Sequence, residues 1–187
     1  PAPAAAAGVT VFGRGSPRPA APPMDGGRVF ARPLLIAASA EVASETTQEL
    51  ALRFAAQGSS LEGRFPGDLS IVVASDDAFG PSSLLLNTVT PIEGLIELVA
   101  AFGSPGALLQ LPESGMTLAP RGVLRVKPGA GLSEIRGPLA VEGLLDVQGS
   151  ARWATSAEAL TNRGKIRLPF GGRLQVSAPL VQAGGTL

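Results

Sequence analysis

The sequence predicts a mainly β fold, with a parallel β-solenoid of 21-residue coils in its C-terminal half, preceded by a β-rich cap region with one short helix. Two observations lead to this prediction. A glycine recurs every 21 residues, at Gly122, Gly143, Gly164 and Gly185. Apolar residues alternate with others around each glycine, which is the two-residue period of a strand with one buried face. The many Gly and Pro residues in these segments exclude helices of the same period.

Four apolar columns keep the same 21-residue spacing. They are Leu118, Leu139, Leu160 and Val181; Leu124, Leu145, Ile166 and Leu187; Val126, Val147 and Leu168; and Leu111, Leu132, Trp153 and Leu174. Stacked parallel strands lie about 4.8 Å apart, so the members of one column are expected to touch in successive coils. Each coil then buries the face that its neighbour leaves open, and Trp153 is expected in the core.

Two columns of charged residues alternate in sign along the same grid. One contains Arg125, Asp146 and Arg167, and the other contains Arg121, Glu142 and Arg163. Both are expected at exposed positions beside the glycines, where an opposite-charge pair across neighbouring strands contributes roughly 0.2 to 1 kcal/mol. Glu113 and Glu134 share a further column and have the same charge. This pair indicates that the 21-residue spacing becomes less regular towards the N-terminal end of the repeat.

Residues 1–27 form a Pro/Ala/Gly-rich arm with few charges. Within this arm, a short β-prone segment lies between Gly- and Pro-rich flanks. It consists of Val9, Thr10, Val11 and Phe12. Two interpretations stay open, a flexible tail or an arm donated to the sheet edge of a neighbouring subunit. The second interpretation makes these four residues a candidate assembly arm.

Residues 28–103 do not follow the 21-residue grid and are interpreted as a β-rich cap region. Apolar residues at helical spacing follow a Thr-Pro pair, and a glycine ends the segment. They are Ile92, Leu95, Ile96 and Val99. This spacing predicts a capping helix near 91–102, which would cover the first coil of a solenoid at 104–187. The final residues "GGTL" begin a further coil, so the chain is either a fragment or is covered there by another subunit.

Composition excludes several classes of function. The chain has no Cys, His or Tyr, which removes disulfides, thiolate metal sites and the commonest general base and metal ligand. We therefore expect no enzyme activity, no cofactor and no metal site. No apolar run reaches the roughly 20 residues that span a bilayer. The 15 basic residues balance 15 acidic ones, which gives no overall attraction to nucleic acid.

The motif "LTNRGKI" at residues 160–166 resembles the Leu-x-Asn-x-Gly-x-Ile unit of filamentous-haemagglutinin-type adhesins, which are right-handed parallel β-helices of the cell surface. The hexads "GLSEIR GPLAVE GLLDVQ" are also similar to bactofilins, which are cytoskeletal β-helices that polymerise end to end, and to repeats of phage fibre proteins. Ala130, Arg136 and Glu142 before the glycines, and the lack of His, depart from left-handed hexapeptide acyltransferases. These resemblances imply a solenoid that assembles and does not catalyse.

Several other residues are candidate ligands by type. Asp76 and Asp77 are interpreted as a polar turn in preference to a cation site, and a Gly-Arg-Gly segment at 13–15 as part of the arm in preference to an anion nest. The last coils are basic and form either a solvated face or a surface for acidic polysaccharide. The basic residues are Arg163, Lys165, Arg167 and Arg173. Glu134, Glu142 and Asp146 match polysaccharide-cleaving β-helix enzymes by residue type alone.

The leading prediction is a non-enzymatic structural subunit of an extracellular, cell-surface or virion fibre, filament or adhesin that self-assembles through solenoid ends and strand pairing. A homo-oligomer or polymer is expected, and polysaccharide or a cell surface are further candidate partners. Residues 1–100 have 6 basic and 10 acidic residues, whereas 101–187 have 9 and 5. This asymmetry favours head-to-tail contact between copies, although chance distribution over two solvated surfaces explains it equally well. The alternatives are a cytoplasmic, bactofilin-like polymer and a polysaccharide-binding or polysaccharide-cleaving domain.

Overall fold

The structure is a computed structural model, and it describes residues 5–6, 9–13, 34–36, 38–42, 50–75, 77–88, 90–103, 105–155 and 160–187. The strands of the first part are β1 (Ala5–Ala6), β2 (Val9–Gly13), β3 (Leu34–Ile36), β4 (Ala38–Val42), β5 (Leu50–Ala55), β6 (Ser59–Gly63), β7 (Leu69–Ala74), β8 (Ser82–Asn87), β9 (Leu95–Val99) and β10 (Ala107–Gln110). The remaining strands are β11 (Met116–Leu118), β12 (Val123–Val126), β13 (Leu132–Arg136), β14 (Leu139–Val141), β15 (Leu144–Val147), β16 (Ser150–Ala154), β17 (Leu160–Asn162), β18 (Lys165–Arg167), β19 (Arg173–Val176) and β20 (Leu180–Gln182).

These strands stack in three sheets. Sheet 1 has the order β3-β5-β7-β9-β12-β15-β18, sheet 2 has the order β1-β2-β4-β6-β8-β10-β13-β16-β19, and sheet 3 has the order β11-β14-β17-β20. Among the described strands, every pairing is parallel except that of β2 with β1 and with β4. The predicted parallel β-solenoid is therefore confirmed, with about six turns and coils about 23 residues apart.

Coil length varies along sheet 1. The paired residues of one column are Leu34, Arg53, Val72, Glu97, Arg125, Asp146 and Arg167, and their successive separations are 19, 19, 25, 28, 21 and 21 residues. The 21-residue grid is therefore a property of the last coils only. Parallel stacking already begins at β3, within the 28–103 region that the sequence assigns to a separate cap.

The helix predicted near 91–102 is wrong, because residues 95–99 form β9. Ile96 and Leu98 are fully buried, whereas Glu97 between them is partly exposed. β9 pairs in parallel with β7 on one side and with β12 on the other. The local apolar spacing fits both a helix and a strand, and backbone pairing along both edges decides in favour of the strand.

One hydrophobic core runs through the solenoid from Leu35 to Ile166. Trp153 is fully buried within it, as predicted, and its indole Nε1–H donates to the carbonyl of Gly137 at 3.1 Å. This hydrogen bond matters because a buried indole N–H without a partner would destabilise the fold. The alternation of inward apolar residues along each strand thus produces a closed interior.

The recurring glycines mark a close approach between coils. A Cβ atom on Gly143 would collide with the carbonyl oxygen of Gly122, and one on Gly164 would collide with that of Gly143. The N–H groups of Leu144 and Lys165 donate to these same carbonyls at 3.0 and 2.8 Å. Glycine is therefore required here by the lack of space between stacked backbones.

The predicted apolar columns hold in sheet 1 but shift elsewhere. Leu124, Leu145 and Ile166 lie opposite one another in register. The predicted column through Leu111, Leu132, Trp153 and Leu174 is wrong. Trp153 lies opposite Ile135 and Val176 in sheet 2, since the corners that join the strands differ in length from coil to coil.

Sheet 3 and the end of sheet 1 show smaller departures from the predicted columns. Leu118 lies opposite Val141 and not Leu139, and Leu160 lies opposite Leu180 and not Val181. Leu168 follows the last residue of β18 and is 49% exposed. The grid is therefore correct to within one or two residues in sheet 3.

Candidate functional site

The outer face of sheet 1 carries four residues of alternating charge, which we name the charged column. They are Glu97 on β9, Arg125 on β12, Asp146 on β15 and Arg167 on β18, each in register with the next. The 21-residue grid predicts the last three. It misses Glu97, which lies 28 residues before Arg125, because the coil that separates them is longer.

Asp146 is the centre of the charged column, and its side chain is completely buried. Its Oδ1 accepts a hydrogen bond from Arg167 Nε at 2.9 Å, and its Oδ2 accepts one from Arg167 Nη2 at 2.6 Å. Oδ2 also accepts from Gln148 Nε2 at 2.7 Å and from Arg125 Nε at 3.3 Å. The predicted exposure of Asp146 is therefore wrong, because the neighbouring coils and Gln148 cover the carboxylate.

The two arginines of the column bind their acids differently. Arg125 divides its donors between two coils, since its Nε faces Asp146 and its Nη1 donates to Glu97 at 3.0 Å. Lys127 Nζ lies 3.3 Å from the same Glu97 oxygen. Arg167 instead gives both Nε and Nη2 to Asp146, the bidentate geometry in which charge-assisted hydrogen bonds are strongest.

These contacts shift the pKa values of both Asp146 and Arg167. Hydrogen bonding from Arg167 holds the pKa of Asp146 below its ordinary value, although burial acts in the opposite direction. Hydrogen bonds from Gln148 and Arg125 lower the pKa of Asp146 further. The hydrogen bond to Asp146 likewise raises the pKa of Arg167. Both groups are therefore ionised at neutral pH, as a structural ion pair requires and a proton-transferring group does not.

The second predicted charge column is looser. Arg163 Nη1 lies 3.6 Å from Glu142 Oε1, with 62% and 35% of the two side chains exposed. Arg121 is exposed and forms no ion pair with another described residue. Exposed pairs of this kind contribute little to stability, so this column is much less important than the charged column of sheet 1.

Glu134 does not share a column with Glu113. It lies on β13 opposite Leu108 and Arg152. Its buried carboxylate accepts a hydrogen bond from Arg136 Nε at 2.6 Å. Glu113 is exposed in the loop between β10 and β11. The predicted like-charge column is therefore wrong, because corner lengths shift the register of sheet 2.

The acidic residues of the described structure do not converge on a common site. Asp146 and Glu134 lie on different sheets, and each is engaged by arginine. Within the described ranges, no group of three or more His, Cys, Asp or Glu side chains is placed to hold a metal ion. Asp77 is exposed, and Asp76 lies outside the described residues. Asp146 joins neighbouring coils, whereas Glu134 pairs within its own strand.

The candidate assembly arm lies on the edge of its own chain's sheet. Val9, Thr10, Val11 and Phe12 belong to β2, which pairs antiparallel with β4, while β1 pairs with the other side of β2. This hairpin covers the N-terminal edge of sheet 2. The remaining residues of the 1–27 arm, including 14 and 15 of the Gly-Arg-Gly segment, lie outside the described residues.

Residues 165–187, which we name the terminal coil, differ from the coils before them. Four of the five exposed large apolar residues of the described chain lie here: Leu168, Phe170, Val181 and Leu187. Lys165, Arg167 and Arg173 are exposed as well, and residues 159–187 contain no Asp or Glu. β19 and β20 each end a sheet. The terminal coil therefore combines strand edges, apolar surface and positive charge.

No family model, curated protein or solved structure matches the chain. Among the residues that the structure describes, no helix is both long and apolar enough to cross a membrane. The β-solenoid is thus shown by the fold itself, whereas the resemblances to adhesins, bactofilins and phage fibres stay predictions.

Proposed function

We propose that the chain is a non-enzymatic structural subunit of an extracellular or virion fibre, filament or adhesin, and that it self-assembles through its terminal coil. One observation carries the proposal. The inner side chains of β19 and β20 in the terminal coil are partly exposed, whereas their paired neighbours in the preceding coil are at most 2% exposed. The pairs are Leu174 with Ala151, Val176 with Trp153, and Leu180 with Leu160.

Backbone groups at this end support the same proposal. β19 and β20 each have a strand on one side only, so half of their N–H and C=O groups face outward from the edge. Such edges pair readily with a strand of another chain. The edge of β18 is different, because Thr186 already bridges to Lys165. We therefore place the assembly surface at sheets 2 and 3.

The opposite end of the solenoid offers less to an incoming coil. The antiparallel hairpin of β1 and β2 interrupts parallel stacking in sheet 2. In sheet 1 the first described strand, β3, is Leu-Leu-Ile and carries no charge. This described strand therefore offers no acidic side chain to the basic terminal coil, so strand pairing supports assembly better than head-to-tail electrostatics does.

The use of the charged residues supports a structural function over a catalytic one. Asp146 is buried between two arginines of neighbouring coils, which leaves it no free oxygen to act as a base. Breaking a buried pair of this kind is strongly destabilising. Two of the residues that match a polysaccharide-cleaving enzyme by type, Asp146 and Glu142, are thus paired with arginines of neighbouring coils.

Sedimentation velocity over a range of protein concentrations, with negative-stain microscopy of the same samples, tests the proposal. We expect the full chain to form larger species as its concentration rises. Val176→Lys should abolish them, because it places a charge among the half-buried inner side chains of β19. Gln175→Lys is the matched control, since residue 175 is exposed on the same strand, and this variant should assemble like the parent.

Monomers of the parent chain at every concentration would contradict self-assembly. So would equal behaviour of the two lysine variants, provided that circular dichroism shows both to be folded. Removal of residues 1–27 separates the two assembly modes. Loss of the larger species on removal of the arm would shift the assembly surface from the terminal coil to the arm.

A further inference from the structure

The corner between β18 and β19 carries the most exposed aromatic side chain of the described residues. It has the sequence Leu-Pro-Phe-Gly-Gly at 168–172, and the Phe170 side chain is fully exposed. Gly171 follows with a φ of 89°, a left-handed conformation that glycine adopts without strain. Only Gln148 and Gly149 join the equivalent strands of the preceding coil, so the corner at 168–172 is the longer of the two.

Positive charge surrounds this apolar corner. Lys165 on one side and Arg173 on the other are exposed, and neither forms an ion pair with another described residue. Arg167 is closer to the corner but is engaged by Asp146. Since residues 159–187 contain no acid, no carboxylate of this segment offsets the two exposed cations.

A second Phe-Gly corner gives a direct contrast. Phe79 and Gly80 lie between β7 and β8, and Gly80 has a φ of 76°. Phe79 is only 37% exposed, and the exposed acid Asp77 lies two residues before it. A Phe followed by a glycine of positive φ therefore lies near an exposed acid at one corner and between exposed cations at the other.

The chemistry of the terminal corner favours a lipid surface over a sugar. Leu168, Pro169 and Phe170 are apolar and the next two residues are glycines, so the corner has no polar side chain to satisfy carbohydrate hydroxyls. Apolar side chains at the tip and cations behind it match the boundary between acyl chains and anionic headgroups. An exposed aromatic side chain with cations on either side is stabilised at such a boundary.

We propose that the corner at 168–172 binds an anionic lipid surface, with Phe170 and Leu168 inserted at the interface and Lys165 and Arg173 against the headgroups. This goes beyond the structural function, because it names a surface to which the fibre attaches. The two roles are compatible in space. Strand edges face along the stacking direction of the coils, whereas a corner faces sideways.

Vesicle co-sedimentation of the full chain tests the proposal. The vesicles contain phosphatidylcholine alone or phosphatidylcholine mixed with phosphatidylserine. We expect binding to the anionic vesicles only. Phe170→Ser should weaken it by roughly tenfold or more, and Lys165→Gln with Arg173→Gln by about tenfold together. Phe79→Ser is the matched control and should bind like the parent.

Phe170→Trp gives a second measurement in case a variant loses stability. Its exposed indole should shift to shorter emission wavelengths when anionic vesicles are added, while the buried Trp153 stays constant. The proposal is overturned if the parent does not bind anionic vesicles, binds neutral ones equally, or is weakened as much by Phe79→Ser. Binding to polygalacturonate, but not to vesicles, that needs Phe170 would identify an acidic polysaccharide as the partner and also overturn it.

Discussion

The coils at residues 123–162 and the terminal coil follow one strand plan but use their basic residues differently. Arg125 lies between acids of the coils on either side, Glu97 and Asp146, and joins three coils. Lys165 and Arg173 of the terminal coil are exposed and form no ion pair with another described residue. The repeat fixes where a charged side chain lies, and the residue on the next coil decides whether that side chain joins coils or stays exposed.

The largest expected effect comes from reversing the central acid of the interior coils. Asp146→Lys puts three cations next to each other in sheet 1, and loss of a buried partner typically costs about 3 to 5 kcal/mol of unfolding free energy. Urea denaturation measures this loss. Glu142→Lys is the control in the exposed column, where a change below about 1 kcal/mol is expected. Equal losses in the two variants would show that Asp146 is not buried as described.

Placing a methyl group where two coils approach closely should have the next largest effect on stability. Gly143→Ala places a methyl group against the carbonyl oxygen of Gly122, and overpacking of this kind costs about 1 to 3 kcal/mol. Gly171→Ala meets open space at the terminal corner and should cost about 1 kcal/mol through its positive φ alone. Thermal unfolding compares the two. A more harmful change at 171 would contradict the stacked glycine column.

The pH dependence of stability should be smaller and should identify Asp146. The pKa of Asp146 is lowered in the folded state from the ordinary value of 3.8. Ionisation of Asp146 therefore stabilises the fold at pH values above 3.8. This contribution is lost as the pH falls through the folded pKa. Urea unfolding at a series of acidic pH values should therefore show a steeper decline for the parent than for Asp146→Asn. Parallel declines would mean that the carboxylate is not selectively stabilised.

The smallest effect is expected in the exposed column. Arg163→Gln removes a 3.6 Å contact between two well-exposed side chains and should change the unfolding free energy by less than about 0.5 kcal/mol. Arg125→Gln, which breaks contacts with two coils, should cost several times more. Urea midpoints of the two variants compare them. A larger loss at 163 would reverse the assignment of the two columns.

The partner of a residue in the next coil can be predicted from the sequence where successive coils have the same length. It cannot be predicted where the corners between strands differ in length. The pairing of Leu124 with Leu145 follows from the glycine interval, because both residues lie two positions after a stacked glycine. The partners of Trp153 could not be predicted this way, since the corner before β16 has only two residues. The burial of Asp146 also cannot be predicted from the 21-residue spacing, because it depends on how the neighbouring arginines and Gln148 cover the carboxylate.

The sequence does not predict that the solenoid begins before residue 104, and the cause is related. The coil that joins β9 to β12 is 28 residues long, so residues before it fall out of step with the 21-residue columns. Their apolar spacing then fits a helix as well as a strand. Pairing with β7 and with β12, in coils of different length, identifies 95–99 as part of the same solenoid.

Disulfide trapping across that 28-residue step tests the stacking of coils most directly. Val123 lies opposite Leu95, whereas an unbroken 21-residue grid would pair it with Phe102. Facing residues of parallel strands are about 4.8 Å apart, within the range of about 4.4 to 6.8 Å that a disulfide bridges. The chain has no cysteine, so Leu95→Cys with Val123→Cys introduces the only pair. Val123→Cys with Leu144→Cys is the positive control, since these residues also face each other. We predict rapid, nearly complete oxidation of the 95–123 pair, whereas efficient closure of a 102–123 pair in its place would contradict the solenoid described here.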